Sequence, residues 1–379
     1  MRIAQVSPLF ESVPPKLYGG TERVVAFLTE ALVDLGHDVT LFASADSVTR
    51  ATLVPCAPRA LRLDGDCRDP LARHMAMLEQ VFDRAADFDV LHLHLDYLSF
   101  PQARHCGVPN VATMHNRLDV PDLQPLFRTF AGVPVVSISD AQKAPLPFAN
   151  WRGTVYHGLP LDLLPFRPKA APYLAFLGRL SPEKRVDRAV EISQRLGLHL
   201  KVAAKIDGKD RDYYERQLRP IFAAAGVEFL GEISEREKAE FLGDASALLF
   251  PVDWPEPFGL VMIEAMACGT PVVAFRCGSV PEVMRDGVSG YVVDTLDDAV
   301  EATARALELP RQGCRAYFEA RFSSARMAGD YLAVYEALVS SAERPSHPRL
   351  GLVPAEANGA ADPPSAQPLL TETAEAELG

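Results

Sequence analysis

No C-x-x-C pair occurs among the six cysteines of this 379-residue chain, Cys56, Cys67, Cys106, Cys268, Cys277 and Cys314, so neither a zinc site nor a disulfide framework is indicated. No stretch approaches the roughly 20 apolar residues of a membrane-spanning helix. Met1-Arg2-Ile3-Ala4-Gln5-Val6 runs directly into a strand with no signal-peptide pattern, and the expectation is a cytoplasmic protein with reduced, structural cysteines. Lysine is scarce in the first half: residues 1–165 hold only Lys16 and Lys143, and 14 Lys/Arg there face 18 Asp/Glu. With a net charge of −12, that balance argues against nucleic acid and against stable docking on an anionic membrane. Gly-x-Gly-x-x-Gly follows none of the strand-like segments, which disfavours a dinucleotide-dependent dehydrogenase.

What is present is alternation. The chain exceeds one typical core, so two domains and a tail are expected. Residues 2–7 read as a short apolar strand, 21–36 as an amphipathic helix and 38–43 as a second strand. Strand-like segments recur at 89–94, 110–115 and 134–139, each followed by helical pattern. A Pro- and Leu-rich stretch, 159–172, reads as a linker. A second series has strands at 173–178, 200–204, 227–230, 247–250 and 271–275. Short strands separated by helices predict an α/β fold of two facing Rossmann-like domains with parallel sheets, 1–165 and 166–314. From Ser341 onward Pro, Ala, Glu and Ser dominate, and 341–379 reads as a disordered tail.

The richest local pattern is Asp253-Trp254-Pro255-Glu256-Pro257-Phe258-Gly259-Leu260, followed by an apolar run to Ala267 and by Cys268-Gly269-Thr270-Pro271. The prolines forbid a regular helix before Phe258, which leaves Glu256 in a loop. Residues 259–267 read as a helix closed by Gly269, with Glu264 inside it. A helix start carries unpaired N–H groups and a partial charge of roughly half an electron, which suits a phosphate. Pro257, Phe258, Gly259 and Leu260 form that start, flanked by two carboxylates. The bland alternative has Glu256 as an electrostatic cap and Glu264 on a solvated face. Against it, Glu264 sits among apolar neighbours, where a carboxylate is costly without a partner.

This run closely resembles the E-x7-E signature of retaining family-four glycosyltransferases, enzymes of GT-B fold, and Gly278-Ser279-Val280-Pro281-Glu282 resembles a second element of that family. The resemblance covers about residues 1–340. It implies transfer of a hexosyl group from a nucleotide sugar, UDP-glucose as first guess and GDP-mannose second, to a hydroxyl of a soluble acceptor, with no metal or other cofactor. It also implies that Glu256 orients the donor sugar and Glu264 holds the ribose. By analogy with the fold, a last helix at 315–340, anchored by Phe318, Phe322, Tyr331 and Tyr335, returns to the first domain. The alternatives are a GT-B sugar-nucleotide epimerase or hydrolase, and a nucleotide-sugar binding protein without turnover.

Other residues join this reading. In Gly178-Arg179-Leu180-Ser181-Pro182-Glu183-Lys184-Arg185, Ser181 is a plausible N-cap with Pro182 at the first helical position. Arg179 and Lys184 can converge on one anion, and the matching family positions hold the donor diphosphate; Arg185 reads as solvent-facing. The alternative is a surface charge run paired to Glu183 or Asp187. Gly19 and Gly20, after Tyr18, let a backbone approach a ligand at a helix start, and the family equivalent of Gly20 borders the diphosphate. His115 ends a strand and matches a family histidine beside the reacting sugar. His92 and His94 share a strand face; with Asp96 they suggest a metal site, a place near the acceptor, or, most simply, a structural role. His157 reads as a turn residue. Asp64-Gly65-Asp66 and Asp87-Phe88-Asp89 superficially resemble the D-x-D metal motif of another glycosyltransferase fold, but one lies in a long loop and the other just before a strand, so metal is assigned to none of them.

Overall fold

The computed structural model describes residues 1–16 and 19–343. Tyr18 and the tail from residue 344 lie outside the described residues. The expected pair of parallel α/β domains is present. The N-terminal sheet has seven strands, β1 (Arg2–Val6), β2 (Asp38–Ser44), β3 (Thr52–Ala57), β4 (Val90–Leu93), β5 (Asn110–Thr113), β6 (Val135–Ser137) and β7 (Trp151–Thr154), in the order β3-β2-β1-β4-β5-β6-β7. The C-terminal sheet has β8 (Tyr173–Arg179), β9 (His199–Lys205), β10 (Glu228–Gly231), β11 (Ala247–Phe250), β12 (Val272–Phe275) and β13 (Gly290–Val293), in the order β10-β9-β8-β11-β12-β13. All recorded pairings are parallel. β4, β5, β11 and β12 are buried at every position, as strands covered on both faces must be. β3, β7 and β13 were not evident in the sequence; β3 is half-exposed and breaks its apolar pattern with Pro55.

The stretch 315–340, read as one helix, is two. Arg311–Arg321 ends at Phe322, and Ser324–Glu343 begins after Ser323. The break separates the anchors. Phe318 and Phe322 pack into the core of the C-terminal lobe, while Tyr331 and Tyr335 are buried with β1, β4 and β5 of the N-terminal lobe. Arg315 fastens the first helix by donating to Leu164 O, Ala267 O and Leu161 O. The second helix extends to Glu343, past the expected start of the tail.

Ser181 also differs from its reading. Pro182–Lys184 forms a single 3-10 turn, Arg185 then takes a left-handed conformation (φ 50°), and the helix proper is Val186–Leu196. Ser181 makes no capping hydrogen bond. Lys184 Nζ lies 5.7 Å from the ring centroid of Phe250 at the end of β11.

Candidate active site

In each sheet the strand order reverses, between β1 and β4 in one lobe and between β8 and β11 in the other. Loops leaving the carboxyl ends of such strands diverge and open a crevice. Gly19 and Gly20 follow β1, His94 follows β4, His115 follows β5, Arg179 ends β8 and Glu256 follows β11. They meet in a cleft of about 950 Å³ between the lobes. Lys184, Pro257, Phe258, Gly259, Leu260 and Glu264 line the same cleft, and Arg185 does not.

The helix Leu260–Cys268 is apolar almost all round and correspondingly buried. Gly259 caps its start at φ 79°, where a Cβ would come within 2.7 Å of Met262 Cε and 3.1 Å of Phe250, so glycine is required. Gly278 is needed for close approach: a Cβ there would lie 2.3 Å from Glu256 O. Ser279 donates from its N–H to Glu256 O (2.9 Å) and from its hydroxyl to Phe258 O (2.9 Å). The 278–282 element thus props the loop that carries Glu256, and Ser279 supplies two of the props.

Across the cleft, Gly20 opens the helix Gly20–Asp34 and its Cα faces Leu260. Lys184 and Glu256 are in direct contact through Nζ and Oε2, and Trp254 Nε1 donates to the same oxygen (2.9 Å). The ammonium also lies 4.7 Å from the Trp254 ring centroid. Arg179 pairs with Asp207 (3.3 Å) and Glu183 (3.4 Å). Both cations are therefore held by carboxylates. Glu264 is 3% exposed and has the partner its apolar setting demands: Lys238 Nζ at 2.7 Å and Arg23 at 3.4 Å, both on Oε1. Burial pushes the Glu264 carboxyl up, but the two cations outweigh it and hold its pKa below the ordinary 4.5. Oε2 has no protein partner among the described contacts. Arg23 also pairs with Glu235 (3.0 Å), so the clasp joins the two lobes.

His92, His94 and His115 lie together in the N-terminal wall. His94 Nδ1 is 2.9 Å from His115 Nε2. Burial lowers the His115 pKa to about 3, and burial together with neighbouring imidazoles lowers those of His92 and His94. The three rings are neutral near pH 7. Asp96 accepts from the backbone N–H of His115 (2.9 Å), which positions the strand end. Among the described residues no three His, Cys, Asp or Glu side chains are grouped to hold a metal ion. Asp89 is bound by Arg2 and Asp87 by Arg84, both outside the cleft lining.

Sequence reasoning missed two cleft residues. His157, read as a turn residue, is 3% exposed, stacks on His115 at 5.5 Å and meets Phe258 edge-on at 4.8 Å. Glu22 lies in the first turn of the helix Gly20–Asp34, 5% exposed, and burial raises its pKa above 4.5. No cation pairs with it among the described contacts. A lone histidine after a strand and a glutamate in a first turn carry no local signal of this kind. Phe10 and Leu71, 40% and 56% exposed, form an apolar shelf on the same N-terminal wall.

No described helix is long and apolar enough to cross a membrane. The chain is similar to glycogen synthase of Mycobacterium tuberculosis, 27% identical over 93% of this chain and 98% of the relative. It is also similar to phosphatidyl-myo-inositol mannosyltransferase of Mycobacterium leprae, 28% identical over 91% and 99%. Sucrose-phosphate synthase from Thermosynechococcus elongatus has the same fold, with a TM-score of 0.73 at 20% identity over 90% of this chain and 99% of that one. The model of the family described as glycosyl transferases group 1 matches residues 165–321, and that of glycosyltransferase family 4 matches residues 18–134, one on each lobe. The chain belongs to the family-four glycosyltransferases of GT-B fold.

Proposed function

We propose that this glycosyltransferase moves a hexosyl group from a nucleotide sugar to a hydroxyl of a soluble acceptor in the cytoplasm, with retention of anomeric configuration and without a metal ion. The observation that carries the reading is the convergence of Arg179, Lys184 and the amino end of the helix Leu260–Cys268 on one side of a cleft whose other side is His115. Two cations and a helix terminus are what a departing nucleoside diphosphate needs as charge develops on it. Donor binding would exchange partners: Lys184 leaves Glu256 for phosphate, and the freed carboxylate takes hydroxyls of the transferred sugar. Glu264 Oε2 is open to the ribose. The acceptor rests on the N-terminal wall near Phe10 and attacks the face the leaving group vacates, with a diphosphate oxygen as base.

UDP-glucose is the first donor to test and GDP-mannose the second. The relatives are named for glycogen and for phosphatidyl-myo-inositol; the acidic, lysine-poor first half favours a soluble acceptor over a lipid-linked one. Purified enzyme is assayed for nucleotide release and transfer with UDP, GDP and ADP sugars after EDTA treatment, and the product anomer is read by NMR. Transfer with an α-linked product from an α-linked donor is expected. Loss of turnover restored by Mg²⁺ or Mn²⁺, a β-linked product, or water as sole acceptor would each overturn the corresponding part.

A further inference from the structure

One face of the N-terminal sheet carries polar side chains that the transfer chemistry does not use. Gln5 is opposite His92 in the β1–β4 pairing, and His92 is opposite Val111 in β4–β5, so Gln5, His92 and Thr113 project to one side. Tyr331 and Tyr335 close that face, and Gln5, His92, His94 and Thr113 are at most 1% exposed. Buried polar groups must pair, and this pairing has a direction.

Gln5 Nε2 donates to the Tyr335 hydroxyl (3.1 Å), and Gln5 Oε1 lies 2.8 Å from His94 Nε2. An amide oxygen only accepts, so the hydrogen sits on His94 Nε2. His94 is neutral, which leaves its Nδ1 bare. His115 Nε2, 2.9 Å away, must then be the N–H. A neutral His115 has one ring hydrogen, and its Nδ1 keeps only a lone pair. That atom has no protein partner among the described contacts, and the ring lines the cleft. The far side accommodates the same directions. Tyr335, accepting from Gln5, turns its hydrogen to His92 Nδ1 (2.6 Å), and His92 Nε2 donates to Thr113 Oγ1 (2.7 Å). Turning the Gln5 amide over would require every one of these hydrogens to reverse.

We propose that Gln5 and His94 are positioning residues that fix His115 as its Nε2–H tautomer, so that a bare Nδ1 faces the donor and selects a hydroxyl of the transferred sugar. His115 so held gives no proton to the leaving group; it reads the sugar. The selection rests on the glycosyl-transfer reading, whereas the tautomer does not.

Histidine-selective ¹⁵N labelling of the full chain and two-bond ¹⁵N–¹H correlation NMR report each tautomer without turnover. Nε2–H is expected on both His94 and His115. Gln5→Met removes the acceptor, and His115 should then show a mixture or the Nδ1–H form; Gln5→Glu keeps an acceptor and should keep the wild-type form. With donors deoxygenated at each position in turn, one position should cost the wild type roughly 10-fold in kcat/KM, the loss of one hydrogen bond to a fixed acceptor. Gln5→Met should largely lose that penalty. Nδ1–H on wild-type His115, or an unchanged His115 tautomer in folded Gln5→Met, overturns the proposal. Should Gln5→Met not fold, the wild-type spectrum decides. A wild-type chain with the expected tautomer but no transfer from any nucleotide sugar counts against the transfer reading instead.

Discussion

Lys184 and Glu256 decide most at the residue scale, because each is the other's partner. Lys184→Ala should lower turnover at saturating donor by roughly 100-fold, through loss of charge at the leaving diphosphate. It should also cost stability, about 1–3 kcal/mol, since the buried Glu256 carboxylate retains only the Trp254 N–H. Adding Glu256→Gln should restore the melting temperature and leave turnover low. A single variant as stable as wild type would show that the contact is not maintained in solution. Glu22 runs the opposite way. Its folded pKa is raised, so above the ordinary 4.5 the fold carries the penalty of a buried charge. Glu22→Gln should melt about 2 °C higher at pH 7, and the difference should vanish as pH falls below the ordinary carboxylate value. Paired thermal scans at the two pH values check the sign.

At the scale of elements, the helix Leu260–Cys268 is held by a charge it cannot neutralise itself. Lys238, from the helix Glu235–Gly243, is 4% exposed and spans to Glu264. Lys238→Met should destabilise by about 3 kcal/mol, because the partner left behind is a buried carboxylate. The pH dependence follows from the lowered Glu264 pKa: its contribution is complete above 4.5 and is lost as pH falls through the folded value. The gap between wild type and Lys238→Met should therefore narrow in acid. Denaturant melts at pH 7 and pH 4 measure it, and a gap that widens in acid would contradict the assignment.

For the whole molecule, further polar contacts besides the Arg23 clasp relate the two lobes among the described residues. Glu282 of the C-terminal lobe accepts from the backbone N–H groups of Asp140 and Ala141 (2.7 Å each) and from Tyr156 (3.1 Å). Ser139 donates to Pro257 O (2.7 Å). Interfaces of this kind normally permit domain motion. Glu282→Ala should raise hydrogen exchange at residues 139–143 and raise KM for donor roughly 10-fold, the effect of losing charge-assisted bonds that hold both walls of the cleft in place. Unchanged exchange in that segment would place the hinge elsewhere.

The sequence by itself determined what depends on near neighbours. Two prolines and two glycines frame Glu256 and the helix Leu260–Cys268, and alternating apolar segments specify two parallel sheets, because caps, φ restrictions and strand periodicity act over a few residues. β3 and the split after Arg321 escaped notice since neither leaves a clean period or a strong breaker. Only the tertiary structure decided the partners. Lys184 meets Glu256, Lys238 meets Glu264, and Gln5 meets Tyr335 across 72, 26 and 330 positions. Which side chains share a cleft is fixed by the points where strand order reverses, and a one-residue change of register would turn His94 away from Gln5. Charge pairing and tautomer are properties of that three-dimensional neighbourhood, which no local pattern encodes.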